Sequence, residues 1–281
     1  MIYHITTEKA WQIARQEGSY SPESLKTEGF IHCSDHFQLE TVANNFYAQT
    51  PELIVLEIDP DQLEAKLVYE KPDDGEMPFP HIYGELNLDA VVDSFYFARA
   101  EDGKLLLPEG REHTIPELLT EFPLATPGKL FRSPTPGSHM FDPDDQVFDL
   151  YLQHQIQTVV ALNDEEEHLR HTGNNLFNRY RKAGFRIISA PIPDFSTPDP
   201  GFWDEAISKT IQAVKSGENT VIHCHAGIGR TGMFTALLAS EVLDLDAEQS
   251  IAWVRKTVPY AIDTHNQKTF VRDEITRKRQ V

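Results

Sequence analysis

The chain has 281 residues, enough for one large domain or two of ordinary size, and 40% of them are hydrophobic, so folded cores are expected. Its formal net charge of −19 argues against general nucleic-acid binding, which needs a basic surface. No apolar run approaches ~18 residues and the N-terminus lacks the features of a secretory signal, so we expect no membrane span and no membrane partner. The two cysteines, Cys33 and Cys224, form no disulfide framework, which favours a reducing, cytoplasmic location.

The charge is divided unevenly along the chain. Residues 1–120 carry 8 basic and 23 acidic side chains, whereas residues 121–281 carry 17 and 21. Prolines and glycines, which break regular structure, punctuate the stretch between the two parts: Pro108, Gly110, Pro123, Pro127 and Gly128. We therefore predict a first domain over residues 1–107, a linker over residues 108–125 and a second domain over residues 126–281.

The first segment mixes strands and helices without regular alternation. Bounded apolar runs predict strands over residues 2–5, 53–58 and 91–97. Either Thr6 or Thr7 can cap a helix that ends at Gly18, and an apolar periodicity predicts a second helix over residues 37–47. This pattern indicates an α+β domain.

Strands and helices alternate regularly in the second segment. The predicted strands cover residues 158–162, 185–189 and 220–223, and the predicted helices cover residues 165–182 and 202–215. Such alternation is typical of a parallel sheet with helices on both faces. Ligands bind to such sheets where strands end and helices begin. Cys224 stands at a position of this kind, directly after the last of these strands.

The ten residues from His223 to Gly232 have the composition of an anion-binding loop. They are His223, Cys224, His225, Ala226, Gly227, Ile228, Gly229, Arg230, Thr231 and Gly232. Small residues let successive N–H groups point into one concavity, and the apolar helix that follows directs its positive end there. Arg230 supplies a planar fork for two phosphate oxygens. These groups favour a Cys224 thiolate, which can attack phosphorus and form a cysteinyl-phosphate. The alternative is a small buried side chain at a strand end.

Two further side chains complete the predicted chemistry. Thr231 can donate its hydroxyl to the sulfur and ease its departure in the second step. The leaving oxygen needs a proton, and Asp194 lies in a proline-flanked loop after the strand at residues 185–189. Asp194 is therefore the predicted general acid and later the base, with Asp199 as the rival acid. An Asx turn beside proline is the purely structural interpretation of Asp194.

Residues from about 126 to 277 resemble the dual-specificity and tyrosine phosphatase superfamily, closest to its compact group that includes the kinase-associated phosphatases. The resemblance lies in the Cys-x5-Arg-Thr loop, the Ile-Pro-Asp sequence ending at Asp194, and residues 261–267, which are similar to the family's glutamine segment. It implies an α/β domain with a central, mainly parallel sheet flanked by helices, and a hydrolase that needs no metal or other cofactor. It assigns Gln267 a part in positioning the hydrolytic water. The alternative is that Gln267 is simply a polar residue at the start of the last helix.

The resemblance also implies a phosphorylated protein as substrate. Larger tyrosine-specific members deepen the pocket with an Asn-Arg-Tyr loop, but here residues 178–180 carry that sequence inside a predicted helix, which favours a chance match. Without the deep wall, phosphotyrosine and phosphoserine or phosphothreonine could both enter. Phosphoinositide-directed members often carry lysines in the loop, whereas the variable positions here are His225, Ala226 and Ile228.

Residues 1 to about 98 resemble a bacterial family of unknown function, DUF952. The similar pieces are residues 2–6, 29–34 and 79–84. The resemblance implies a fold distantly related to ADP-ribosyltransferases and a pocket for a nucleotide-like ligand. The residues expected to line that pocket are His4, His32, Ser34, His81 and Tyr83. A zinc site at His32, Cys33 and His36 is an alternative, although no recognised ligand spacing is met, and internally paired structural histidines are another.

Two functional alternatives accompany the phosphatase interpretation. A pseudophosphatase would use the loop only to bind a phosphorylated partner, but such proteins typically lose the nucleophile, the arginine or the acid. The other alternative makes an activity of the N-terminal domain on an NAD-type or ADP-ribose-type molecule the principal function.

Overall fold

The structure is a computed structural model that describes residues 1–72, 77–112 and 116–280. The chain divides into two compact units, one drawn mainly from residues 1–114 and the other mainly from residues 115–281. Within the described ranges no helix is both long and apolar enough to cross a bilayer.

The N-terminal unit contains short strands and three helices within its described residues. The strands are β1 Ile2–Thr7, β2 Ser19–Tyr20, β3 Ile31–His32, β4 Leu53–Ile58, β5 Lys66–Glu70, β6 Phe79–Tyr83, β7 Leu86–Asn87, β8 Val91–Tyr96, β9 Ala98–Arg99 and β10 Leu105–Leu106. The helices are α1 Glu8–Glu17, α2 Glu23–Thr27 and α3 Leu39–Phe46, and short 3-10 turns cover His36–Gln38, Pro60–Gln62 and Leu88–Ala90.

Antiparallel pairing organises this unit. One sheet has the order β1-β4-β8 and a second the order β3-β6-β5, with two small pairs, β2-β7 and β9-β10. Helix α1 begins at Thr7, whose hydroxyl accepts the Ala10 N–H at 3.2 Å, and ends at Gly18, whose φ of 88° favours glycine. The mixture of antiparallel sheet and separate helices is the predicted α+β arrangement.

The C-terminal unit contains five strands and seven helices among its described residues. The strands are β11 Thr120–Phe122, β12 Leu130–Ser133, β13 Thr158–Ala161, β14 Arg186–Ser189 and β15 Thr220–His223. The helices are α4 Gln146–Gln153, α5 Glu165–Thr172, α6 Leu176–Ala183, α7 Asp204–Lys215, α8 Gly229–Leu243, α9 Ala247–Thr257 and α10 His265–Arg279.

A central sheet with the order β11-β12-β15-β13-β14 runs through this unit, and only the edge strand β11 is antiparallel to its neighbour. Side chains alternate between its two faces and are buried on both. One hydrophobic cluster includes Leu130, Val160 and Ile222, and the other includes Phe131, Val159 and Val221. Burial on both faces explains why these strands have continuous apolar runs. The mainly parallel sheet confirms the predicted α/β class.

Two sequence-based boundaries differ from the structure. The predicted helix over residues 165–182 is interrupted, because Gly173 ends α5 in the left-handed conformation and Asn175 caps α6. The predicted linker over residues 108–125 includes β11, which pairs with β12. Phe122 is buried in the core, so the second unit begins before residue 126. A short edge strand between prolines carries too little periodicity to be recognised from the sequence.

Candidate active site

The loop after β15 is formed by close backbone packing at the centre of the sheet. Strand β15 lies between β12 and β13 and is fully buried, and helix α8 begins at Gly229. Gly227 has a φ of 71°, and a Cβ placed there would lie 2.1 Å from the carbonyl oxygen of Ser133. Both its conformation and its surroundings therefore require glycine.

Cys224 is almost fully buried at the base of this loop, with 3% of its surface exposed. The Thr231 hydroxyl donates to its Sγ at 3.2 Å. On the other side, the Thr135 hydroxyl donates to the Cys224 carbonyl at 2.9 Å, and the Thr135 N–H donates to the His225 carbonyl at 3.0 Å. The predicted contact between Thr231 and the sulfur is thus present, and the backbone around Cys224 is held by the segment that follows β12.

Arg230 lies in the same site with 1% of its surface exposed. Its Nη1 and Nη2 donate to the two carboxylate oxygens of Glu167 at 2.8 and 2.6 Å, and Nη1 also donates to the Ile192 carbonyl at 2.9 Å. Burial opposes the charge of Arg230, but the hydrogen bonds to Glu167 and the charges of Cys224 and Asp194 outweigh it and raise its pKa. The guanidinium is therefore held in one orientation and stays charged.

Glu167 is a site residue that the sequence analysis did not identify. It lies in the first turn of α5, where Asp164 caps the helix by accepting the Glu167 N–H at 2.8 Å. Because β13 and β15 are neighbouring parallel strands, the segments after their carboxyl ends meet at one edge. That rule points to the acidic turn at the start of α5, although it does not select one carboxylate among several.

Asp194 lies at the entrance to the loop. Its Oδ1 is 3.1 Å from Arg230 Nη2, and its Oδ2 is 3.9 Å from His225 Nδ1. The Asp194 side chain is 37% exposed and accepts the Phe195 N–H at 3.0 Å. The rival acid, Asp199, is exposed. The structure thus brings Asp194 to the arginine and leaves Asp199 on the surface.

An aromatic rim surrounds the entrance, formed by Phe141, His171 and His225. The imidazoles of His171 and His225 stack with 3.6 Å between ring centroids and 15° between planes. Phe141 packs edge-on to His225 at 4.9 Å. Burial and the neighbouring His171 lower the pKa of His225 to about 4, so the His225 ring is uncharged at neutral pH.

Gln267 reaches the same loop from the start of α10. It is buried, and a Cβ placed on Gly229 would lie 2.7 Å from its side-chain nitrogen. The carboxamide therefore packs against the first residue of α8. The structure brings the glutamine of residues 261–267 close to the end of the Cys224 loop.

His223, predicted as a supporting residue, belongs to a buried polar network beneath the loop. Its Nε2 hydrogen-bonds with the Tyr180 hydroxyl at 3.0 Å, and its ring stacks on His168. His168 in turn hydrogen-bonds with Asn163, whose amide donates to the Thr135 hydroxyl at 2.9 Å. Burial keeps the pKa of His223 well below its usual value, so the network is neutral.

The residues predicted to line an N-terminal pocket separate into two groups. His4 is buried, with its Nδ1 donating to the His32 carbonyl at 2.7 Å and its Nε2 paired with the Tyr20 hydroxyl at 2.8 Å. Ser34 is also buried, and its backbone pairs with Tyr3. Both ring nitrogens of His4 are therefore satisfied inside the fold, so the structure does not place His4 and Ser34 in an open pocket.

The other three predicted residues lie together on β3 and β6. Phe30 stacks on His81 at 4.1 Å, and the rings of His32 and His81 are 5.3 Å apart. The Tyr83 hydroxyl donates to Glu70 at 2.7 Å, and His81 Nδ1 pairs with the same oxygen at 2.8 Å. Among the described residues, no three His, Cys, Asp or Glu side chains are arranged to hold a metal ion.

The fold and the loop define the class of the C-terminal unit as a domain of the dual-specificity and tyrosine phosphatase type. Residues 138–243 match the family model described as "Polymorphic toxin system, DSP-PTPase phosphatase", and residues 5–94 match that of a protein of unknown function, DUF952. The chain therefore carries a DUF952 domain at its N-terminus, followed by a phosphatase domain of this superfamily.

Curated relatives support the second assignment. The chain is similar to mouse "Cyclin-dependent kinase inhibitor 3", with 30% identity over 36% of this chain and 47% of that protein. It is also similar to human "Dual specificity protein phosphatase CDC14C", with 26% identity over 62% of this chain and 34% of that protein. The chain thus spans half or less of the length of these relatives.

A solved structure supports the fold. A crystal structure of kinase associated phosphatase, in which the catalytic-site cysteine is replaced by serine, aligns with a TM-score of 0.51 and 24% identity. The alignment covers 59% of this chain and 98% of that one.

Proposed function

We propose that the C-terminal unit hydrolyses phosphomonoesters on proteins through a cysteinyl-phosphate intermediate. The observation that carries the proposal is the convergence of Cys224, Arg230 and Asp194, with Thr231 on the sulfur and Asp194 at 3.1 Å from the guanidinium. A nucleophile, an oxyanion clamp and an acid within one site are the parts that such a reaction needs.

In the first step, the Cys224 thiolate attacks phosphorus while the bond from phosphorus to the substrate oxygen breaks. The leaving oxygen takes a proton from Asp194, so the alcohol departs neutral and the carboxylate remains. Arg230 and the N–H groups of the loop hold the three non-bridging oxygens.

One nitrogen of Arg230 is available to donate a hydrogen bond to a phosphate oxygen. Its Nε is buried and has no hydrogen-bond partner among the described residues, whereas its Nη atoms bind Glu167. A phosphate oxygen at Nε would satisfy it. The phosphate would also compete with Asp194 for Arg230, which would free the carboxyl group to turn toward the leaving oxygen.

In the second step, a water attacks the cysteinyl-phosphate. The Asp194 carboxylate takes its proton, the bond between sulfur and phosphorus breaks, and inorganic phosphate leaves. In this proposal Gln267 orients that water, which its position beside Gly229 supports, and the Thr231 hydroxyl stabilises the departing thiolate. Every proton has a donor or acceptor in the chain, and none of these steps uses a metal.

The aromatic rim favours phosphoproteins, phosphotyrosine in particular. Phe141, His171 and His225 present ring surfaces at the entrance, and a phenyl ring can pack against such surfaces. The loop has no lysine at its variable positions, so little positive charge is offered to a polyanionic lipid headgroup. Phosphoserine and phosphothreonine would lack the ring contact and would react more slowly.

The test compares the full chain with a Cys224→Ser variant on an aryl phosphate and on phosphotyrosyl, phosphoseryl and phosphothreonyl peptides, with a chelator present. We expect metal-independent hydrolysis by the wild type, none by the variant, and trapping of phosphopeptide by the variant. If the wild type binds phosphopeptides as tightly as the variant but hydrolyses nothing, the chain is a phosphate-binding pseudophosphatase and the proposal is wrong.

A further inference from the structure

A second buried arginine lies directly behind the phosphate-binding loop. Arg132, on β12, has 1% of its surface exposed. Its Nε donates to the Gly227 carbonyl at 3.0 Å, its Nη2 to the Ala226 carbonyl at 2.6 Å and its Nη1 to the Glu117 carbonyl at 2.7 Å. In the described part of the chain no carboxylate forms an ion pair with it, so its partners are backbone oxygens.

A buried guanidinium without a counter-ion is costly to fold. Burial lowers the pKa of Arg132 to about 10, while the negative charge of Cys224 acts in the opposite direction. At neutral pH Arg132 is therefore still a cation. Among its neighbours, Cys224 contributes most to stabilising that positive charge. An arrangement that costs stability and faces a reactive loop indicates a functional role.

The geometry of the peptide groups shows what that role is. The described chain contains no cis peptide bond, so the C=O and N–H of each peptide group point in opposite directions. The carbonyls of Ala226 and Gly227 point at Arg132, so the N–H groups of Gly227 and Ile228 point away from it. That direction leads into the concavity where the phosphate is proposed to bind.

The backbone of Gly227 lies very close to the Arg132 guanidinium, which fixes the same orientation of the loop peptides. A Cβ on Gly227 would lie 2.2 Å from Arg132 Nη2, so the arginine can reach these carbonyls only because residue 227 is glycine. The left-handed φ of Gly227 is what turns its peptide toward β12. Arg132 and Gly227 thus form one clamp on the back of the loop.

We propose that Arg132 is a positioning residue of the phosphate-binding loop. It holds the Ala226 and Gly227 carbonyls outward so that the N–H groups of Gly227 and Ile228 face the bound oxyanion, and its charge adds to the attraction for that oxyanion. This inference rests on the proposed site for phosphate, but it concerns binding and does not require turnover.

The test measures tungstate and inorganic phosphate binding by calorimetry in full-length Cys224→Ser protein, to which Arg132→Met or Arg132→Lys is added. Trp203→Phe is the matched control, because it removes a buried hydrogen bond, from Nε1 to the Ala190 carbonyl at 3.0 Å, from the same core. We expect Arg132→Met to weaken tungstate binding by about tenfold or more, the effect of losing charge-assisted hydrogen bonds. Arg132→Lys should recover part of that affinity, and Trp203→Phe should lower only the melting temperature.

Equal tungstate affinity in Arg132→Met and Trp203→Phe would show that Arg132 is only structural and would overturn the inference. If Arg132→Met does not fold, Arg132→Lys decides alone. It keeps the charge but replaces three donor nitrogens with one, so it must bind tungstate more weakly at a retained melting temperature. If the protein with Cys224 restored hydrolyses no phosphoester while the Arg132 variants still lose tungstate affinity, the proposed function fails and this inference stands.

Discussion

Two sets of buried histidines are held in different ways, His4 in the N-terminal unit and the pair His168 and His223 in the C-terminal unit. In the N-terminal unit, both ring nitrogens of His4 are hydrogen-bonded, and the ring closes an internal contact with Tyr20. In the C-terminal unit, the rings of His168 and His223 stack on each other, and their Nε2 atoms pair with Asn163 and with the Tyr180 hydroxyl respectively. The first arrangement closes a contact within one domain, whereas the second extends through Asn163 to Thr135, whose hydroxyl donates to the Cys224 carbonyl.

The units also differ in how charge is buried. The chain as a whole is strongly acidic, yet the C-terminal unit buries two arginines, Arg132 and Arg230, around one cysteine. Net charge governs long-range association, whereas a site is governed by the few charges that face it at close range. The acidic composition therefore argues against general nucleic-acid binding but says nothing against a local oxyanion site.

The largest expected effect compares the two buried cysteines, each 3% exposed. Cys224→Ser should abolish hydrolysis, whereas Cys33→Ser should leave kcat and KM unchanged, because burial raises the pKa of the Cys33 thiol and keeps it unreactive. Peroxide should inactivate the wild type and the Cys33→Ser variant alike, and a thiol reductant should restore both. Protection from peroxide by Cys33→Ser would contradict this division.

The next effect compares the two candidate acids, using Asp194→Asn and Asp199→Asn. Removing a general acid costs on the order of 10²–10⁴ in rate, so Asp194→Asn should lower kcat by that order on phosphopeptides, whose leaving groups are poor. The loss should shrink on a nitrophenyl phosphate, whose leaving group needs little protonation. Asp199→Asn should behave as wild type, and a large loss there would transfer the acid role to the exposed residue.

A third comparison uses two hydrogen-bonded glutamates, one in each unit. Glu167→Gln breaks the buried pair with Arg230, and removing one partner of such a pair costs roughly 3–5 kcal/mol of stability. We expect lower stability and weaker phosphate binding, measured by denaturation and calorimetry. Glu70→Gln, at an exposed carboxylate bonded to His81 and Tyr83, should lower stability much less, because solvent screens such a contact. Similar losses of stability in the Glu167→Gln and Glu70→Gln variants would contradict the different roles given to the two glutamates.

The smallest effect is on stability as a function of pH. Burial lowers the folded-state pKa of His4 and His168 to about 4 and holds that of His223 well below its usual value. Between pH 6.5 and about 4 the unfolded chain therefore binds more protons, so stability is complete above pH 6.5 and falls as the solution is acidified. Each such histidine contributes about 1.4 kcal/mol per pH unit in that window.

Among the described residues, the histidines with a lowered pKa are His168, His223 and His225 in the C-terminal unit and His4 and His36 in the N-terminal unit. We therefore expect the C-terminal unfolding transition to move to lower temperature more steeply on acidification than the N-terminal one. Calorimetry of the full chain at pH 7.5, 6 and 5 measures this, and His168→Gln should flatten the slope of the C-terminal transition alone. Equal slopes for both units in the wild type would count against the contrast between their histidines.

The local sequence predicts the bounds of those elements that short apolar runs and capping residues define. Strands β4 and β15 were predicted with the observed bounds, and α1 begins and ends at its predicted capping residues, because apolar runs and caps act within a few residues. The split between α5 and α6 was missed because the polar stretch continues across Gly173. Strand β11 was missed because its burial depends on its pairing with β12.

In the candidate site, too, the residues of one continuous segment are predictable from the sequence, whereas the contacts between distant segments are not. The spacing of Cys224, Arg230 and Thr231 was readable from the sequence, since one strand, one tight loop and one helix carry all three. Only the tertiary structure decided that Glu167, sixty-three residues away along the chain, binds the guanidinium, and that Arg132 holds the loop from behind. Those contacts are set by the order of strands in the sheet, which brings β12 and β13 to either side of β15. Local patterns do not encode that order.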